Sequence, residues 1–219
     1  VLIMSAFSVI YTNAFFHRLT PERVVNYGID KAKEMPFLDE KMRAEIEKSR
    51  AASIEENKNP VRRAGQAFSD FMGKVFWMAV LAAIFFVFTL AMGGAMNFWQ
   101  AFSAVVYASF PVLIIRSVLN LIILFLKDPV DIHPIIGQGS LVQDNLSFLV
   151  NSAESPVLFT LLSAFSLLAF YWLWLNATGL KNAGEKVSPA IAWTSTLTIW
   201  LVQIALSVLA ALFLPNFLS

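Results

Sequence analysis

The chain has 219 residues, 58% hydrophobic and 14% charged, with a net charge of +1 and no cysteine. A soluble globular domain carries roughly 25% charged residues, so an ordinary water-facing surface is excluded. The near-neutral balance excludes a polyanion binder, and the lack of thiols excludes disulfides, thiolate metal sites and cysteine nucleophiles.

Most of the charge lies between His17 and Lys74, and beyond it long apolar blocks alternate with short polar joints. A bilayer selects this pattern, because its core hydrates neither a polar side chain nor open backbone. The expected fold is all-α: a polytopic transmembrane bundle of five spanning helices in one membrane domain over 1–219. The first block, Val1 to Phe16, is shorter than the about 20 residues a span needs. It reads as the C-terminal part of a span truncated at its N-terminus. An amphipathic surface helix or a signal-peptide core are the alternatives, although a signal peptide carries its positive charge ahead of the apolar run and here His17 and Arg18 follow it.

The segment 19–70 is hydrophilic and is expected to lie outside the membrane as a polar helical hairpin. Thr20, Pro21 and Glu22 are a helix start: a capping hydroxyl, proline in the first turn and an acid at the positive helix end. Met35, preceding a proline, should stop that helix. A second helix begins at Leu38-Asp39-Glu40, carries Met42, Ile46 and Ile54 as a thin apolar stripe, and ends at Asn57-Lys58-Asn59-Pro60. Glu45, Glu47, Lys48 and Arg50 can pair along it at helical spacing. Such a hairpin is either a solvated surface or a docking surface for a partner.

The region 75–219 then reads as a four-helix transmembrane core. Val75 to Met92 is a span anchored at the interface by Lys74 and Trp77, and Gly93-Gly94 is a tight turn. Phe98 to Leu126 is longer than a straight crossing needs and bends or tilts at Pro111. Lys127-Asp128-Pro129 ends it. The loop 130–155 should hold a short helix starting near Ser140. The fourth span runs from Pro156 to Leu175 with an aromatic end at Phe170, Tyr171, Trp172 and Trp174. After a joint over 176–188, Pro189 opens the fifth, which runs to about Leu214 and stops at Pro215.

Arg116 lies about ten residues, roughly 15 Å, inside its apolar block. A cation at that depth costs at least ~2.5 kcal/mol. Ser109, Arg116 and Asn120 share one helix face, and the last span carries Thr196, Gln203 and Ser207 on another. Together these six form a candidate intramembrane polar seam. Its hydroxyls and amides either join helices, at roughly 0.6–2 kcal/mol each, or line a path. Arg116 either faces other helices or snorkels to the headgroups. The apolar blocks hold no acid, so a coupled transporter would lack its usual charge carrier.

His17 and His133 are the two histidines. Asp131 and His133 sit close in sequence, but a metal needs three or four ligands. Asn176-Ala177-Thr178 matches a glycosylation acceptor beside a spanning helix. Glycine-rich phosphate loops and hydrolase or metalloprotease motifs do not occur in the sequence. No catalytic residue, cofactor or metal is expected. The expected partners are the lipid bilayer and other membrane subunits or a second copy, with no nucleic acid.

Several stretches resemble the prokaryotic form of the Yip (Ypt-interacting protein) membrane domain family. Phe98-Trp99-Gln100-Ala101-Phe102 leads into Tyr107-Ala108-Ser109-Phe110-Pro111. Ser155-Pro156-Val157-Leu158-Phe159 precedes the fourth helix, whose aromatic end is followed by Gly179-Leu180 and a basic joint. The chain departs from the pattern at Ser166, where members often carry Asp. The resemblance implies five spans, a cytoplasmic N-terminus and a C-terminus on the far side of a prokaryotic inner (cytoplasmic) membrane. It implies a non-enzymatic scaffold or accessory subunit linked to transport or membrane trafficking, since eukaryotic members bind small GTPases. Lys181 and Lys186 agree with that orientation under the positive-inside rule, whereas Arg62, Arg63 and Lys74 oppose it. The alternative function is a small-solute transporter or channel lined by Arg116, Asn120 and Gln203.

Overall fold

A computed structural model describes residues 1–33, 39–134, 136–151 and 154–213. Among them the chain is helical, without strands. The helices are α1 (Leu2–Leu19), α2 (Pro21–Lys33), α3 (Glu40–Lys48), α4 (Arg50–Lys58), α5 (Pro60–Ala91), α6 (Phe98–Leu126), α7 (Ile136–Gly139), α8 (Pro156–Ser163), α9 (Leu167–Ala183) and α10 (Pro189–Phe213). Three of them, α5, α6 and α10, are long and apolar enough to cross a bilayer. The expected stops at Met35 and Pro215 lie outside the described residues.

Proline and capping chemistry set many boundaries where the sequence places them. α2, α5, α8 and α10 each open on a proline, whose missing N–H is unbonded at a helix start in any case. Asp39 caps α3 by accepting from the Met42 N–H at 2.7 Å. α6 continues through Pro111 as one helix. Several expectations need correction. The helix expected from Leu38 to Asn57 is two, parted at Ser49, whose hydroxyl donates to the Ile46 carbonyl. α5 starts at Pro60 rather than near Val75, because no breaker separates the polar stretch from the apolar one. The short helix of the loop lies before Ser140, at Ile136–Gly139.

The largest departure is in the fourth apolar block. Instead of one helix from Pro156 to Leu175, α8 ends at Ser163 and α9 begins at Leu167 and continues to Ala183. The Ser166 side chain, on extended backbone, accepts from the Ala169 N–H at 2.9 Å and starts the second helix. The joint over 176–188 is correspondingly shorter.

The chain divides into two compact units: residues 1–73 with 114–142, and residues 74–113 with 143–219. The first has a core of Tyr11, Phe15, Leu19, Val24, Leu124 and Ile132, flanked by Ala14, Phe16, Leu121 and Leu141. Gly137 completes it. A Cβ there would lie 2.9 Å from Phe15 and 3.1 Å from both Ile132 and Leu141, so only a glycine fits without repacking. In the second unit α10 packs along α9 and α8. α9 approaches α6 closely at Gly179, where a Cβ would stand 3.2 Å from that of Ala104. Phe165, Phe170 and Trp200 form an aromatic cluster with centroids 5.6–6.3 Å apart.

Candidate functional site

In the first unit the polar segment after α1 is tied to the turn that follows α6. The Arg18 guanidinium donates to the Lys127 carbonyl at 2.7 Å, immediately beyond the last turn of α6. A cation there satisfies an orphan carbonyl and faces the negative helix end. Arg23 spreads its planar fork over two carbonyls, Pro129 at 2.6 Å and Val130 at 3.2 Å. Tyr27 meets His133 through a 2.9 Å hydrogen bond between its hydroxyl and Nε2, with the rings edge-on at 4.9 Å. The Tyr11 hydroxyl donates to the Gly137 carbonyl. Arg18 also lies over the Phe125 ring and Arg63 over Phe16.

Asn120 is the best-defined member of the candidate seam. It is 4% exposed, and its Oδ1 accepts from the Leu141 N–H at 2.7 Å, the Val142 N–H at 2.9 Å and the Ser140 hydroxyl at 3.2 Å. One side-chain oxygen thereby fixes three consecutive residues of an irregular segment whose amides have no helix to satisfy them. Arg116, one turn earlier on α6, is partly exposed.

In the second unit Ser109 is buried and accepts from the Trp172 indole N–H at 3.2 Å, joining α6 to α9. Thr196 is fully buried and donates to the Ala192 carbonyl of its own helix at 2.9 Å. Gln203 and Ser207 are exposed. The stripe on α10 therefore turns inward at Thr196 and is open farther along. Asn176 of the glycosylation-like triplet is fully buried, its amide donating to the Trp172 carbonyl at 2.9 Å.

The break between α8 and α9 brings together residues that sequence reasoning passed over. Asp144 accepts from two amides at the start of α9: the Leu168 N–H at its carboxylate, 3.0 Å, and the Leu167 N–H at its carbonyl, 3.2 Å. Asn145 pairs with Ser166 in an isolated antiparallel bridge. A carboxylate at a helix N-terminus meets both the orphan N–H groups and the positive dipole end. The apolar blocks lack acids in sequence, but the fold carries one to the broken block from the loop before it. Ser166 followed by an uninterrupted apolar run was the available signal; nothing local pointed to Asp144.

Comparison with protein-family models, with curated proteins and with solved structures gives no match to this chain.

Proposed function

We propose that this chain is a multi-pass integral membrane scaffold or accessory subunit without catalytic activity, of the Yip kind, placed in the cytoplasmic membrane of a prokaryote and serving transport or membrane traffic. The observation that carries the reading is how the buried polar side chains are used. The buried Asn120, Ser109 and Thr196, and the partly buried Asp144, each hold backbone or another helix of this chain. Their chemistry is consumed in positioning rather than directed at a substrate. The long helices meanwhile turn their apolar sides outward: 11% of the most apolar stretch of α6 and 22% of those of α5 and α10 are buried within the chain. Lipid or neighbouring subunits must cover the rest.

Five crossings agree with the contacts inside each unit. Arg23 binds the turn at 129–130, so the polar segment and the end of α6 share one membrane face. The Ala95 carbonyl accepts from the Glu185 and Lys186 N–H groups at 3.0 and 3.4 Å, so the α5–α6 turn and the α9–α10 joint share a face as well. α1 and the α8–α9 pair would supply the remaining two crossings. Extraction of native membranes in mild detergent, followed by identification of co-eluting proteins, tests the scaffold role. Stoichiometric companions are expected, and a monodisperse solitary monomer overturns it.

A further inference from the structure

In the first unit three helices meet at one level, and each brings cations to it. α1 ends just after Arg18, whose guanidinium donates to the Lys127 carbonyl at 2.7 Å and lies 5.7 Å from the Phe125 ring centroid. Lys127, immediately beyond α6, is itself exposed. α5 brings Arg63 to 5.9 Å from the ring centroid of Phe16, two residues before Arg18, with the exposed Arg62 beside it. Arg23 reaches the turn after α6 at Pro129 and Val130. Cations far apart in sequence therefore form one belt. Just inside it the last turn of α6 stays apolar and open, with Phe125 60% and Leu126 80% exposed. Acyl chains cover such side chains, so the change from apolar to basic marks the level of the headgroups.

We infer that this basic belt lies against the anionic headgroups of the cytoplasmic leaflet, so that the segment 20–59 is cytoplasmic and α1 starts on the outer side. Lys and Arg beside spanning helices are kept on the cytoplasmic side, where the leaflet is negatively charged. The opposite border is poorer in them. The α5–α6 turn has no Lys or Arg, and the end of α9 with the joint that bonds to that turn has Lys181 and Lys186. Glu22, Asp70, Asp128 and Asp131 lie near the belt in sequence. They are a weak counterweight, because Lys and Arg set the side and net charge does not. The Asp128 carboxylate is moreover turned to the Val130 N–H at 2.9 Å. The rule loses its hold on loops beyond about 60 residues. Because α5 begins at Pro60 and returns Arg63 to the level of α1, the intervening segment is 20–59 and falls within the rule's reach. This direction is the reverse of the one the Yip resemblance implies. The inference rests on the membrane-spanning reading proposed above and adds the direction of insertion.

The chain has no cysteine, so a single introduced thiol reports on one position without background. Lys41→Cys and Glu185→Cys chains, both changed at exposed positions, are expressed separately in a bacterial inner membrane. An impermeant maleimide is applied to intact spheroplasts and to inverted vesicles. Lys41→Cys should be labelled several-fold more in inverted vesicles, and Glu185→Cys several-fold more in spheroplasts. The opposite pattern overturns the direction and leaves the crossing intact. Equal labelling of each thiol in both preparations overturns the direction as well. Both thiols labelled from one side alone remove the crossing of α5 and α6, and the spanning reading with it. In the Lys41→Cys chain, adding Arg62→Gln, Arg63→Gln and Lys127→Gln should raise the spheroplast signal several-fold, as chains insert in both directions. Unchanged melting of that variant in detergent shows that the change is not one of folding. A spheroplast signal indifferent to the three substitutions overturns the role of the belt, and the two single-thiol chains decide the direction whether or not the variant folds.

Discussion

At the scale of single residues, Asn120 carries more structure than any other seam member. Replacing it with Leu strands the Leu141 and Val142 amides at a buried site. Each unsatisfied group costs about 1–3 kcal/mol, so Asn120→Leu should destabilise the folded chain by about 2 kcal/mol or more. Ser140→Ala removes only the weakest of the three bonds to that oxygen and should cost under about 1 kcal/mol. Thermal unfolding in detergent of the two variants beside the parent checks the order. If Asn120→Leu melts with the parent, the clamp is not structural. A polar residue on a predicted helix face was legible in the sequence. Its partners were not, because they are backbone amides twenty or more positions away with no side-chain signature. Gln203 and Thr196 show the same limit from the other side. Helical spacing assigns them one face, but only packing decides that one is enclosed and the other open.

Elements divide between those bounded by local chemistry and those bounded by distant contacts. The beginnings of α6 and α10 could be read from polar joints and a proline, because a cap or a missing N–H acts on its own helix. The break between α8 and α9 could not, since Ser166 looks like an interior residue until Asp144 is brought to it. Ser166→Ala should cost about 1 kcal/mol, the usual loss at a helix cap. Asp144→Ala should cost more than Asp144→Asn, which keeps an acceptor for the Leu168 N–H; melting curves rank the three. The polar segment offers a pH test. The Glu47 carboxyl is held below its ordinary range by its hydrogen bond with Lys33, with Arg50 adding to the effect and partial desolvation opposing it. A depressed folded-state value means that the stabilisation is fully present above the unfolded carboxylate value, about 4.3. It is lost as pH falls through the lower folded value. Amide exchange in 40–48, corrected for intrinsic rates, should therefore accelerate as pH falls below about 4.3, and Glu47→Gln should weaken that dependence.

For the whole molecule, the intra-unit contacts make a prediction about sidedness. Thiols introduced singly at Lys41 and Val130, both exposed, should react with an impermeant reagent from the same side of sealed vesicles, and one at Glu185 only from the other. Labelling of all three from one side would contradict the proposed crossing of α5 and α6. That the chain holds helices long and apolar enough to cross a bilayer was legible from composition. How many apolar blocks cross was less so, since block length alone cannot distinguish a continuous helix from a capped pair.

The bonds from Arg18, Arg23 and Tyr27 to residues 127–133 span more than a hundred positions of chain, and that separation sets an order of events in time. At roughly 5–20 residues per second, the ribosome takes on the order of five to twenty seconds to deliver Leu124 and Ile132 after Val24 has emerged. Throughout that interval Tyr11, Phe15 and Leu19 have no partner from α6, and the guanidinium groups have no carbonyls to cap. A nascent chain arrested before Leu124 therefore presents an apolar helix face beside unsatisfied cations. Chaperones and membrane proteases act on that combination, so truncated products should be cleared much faster than the full chain.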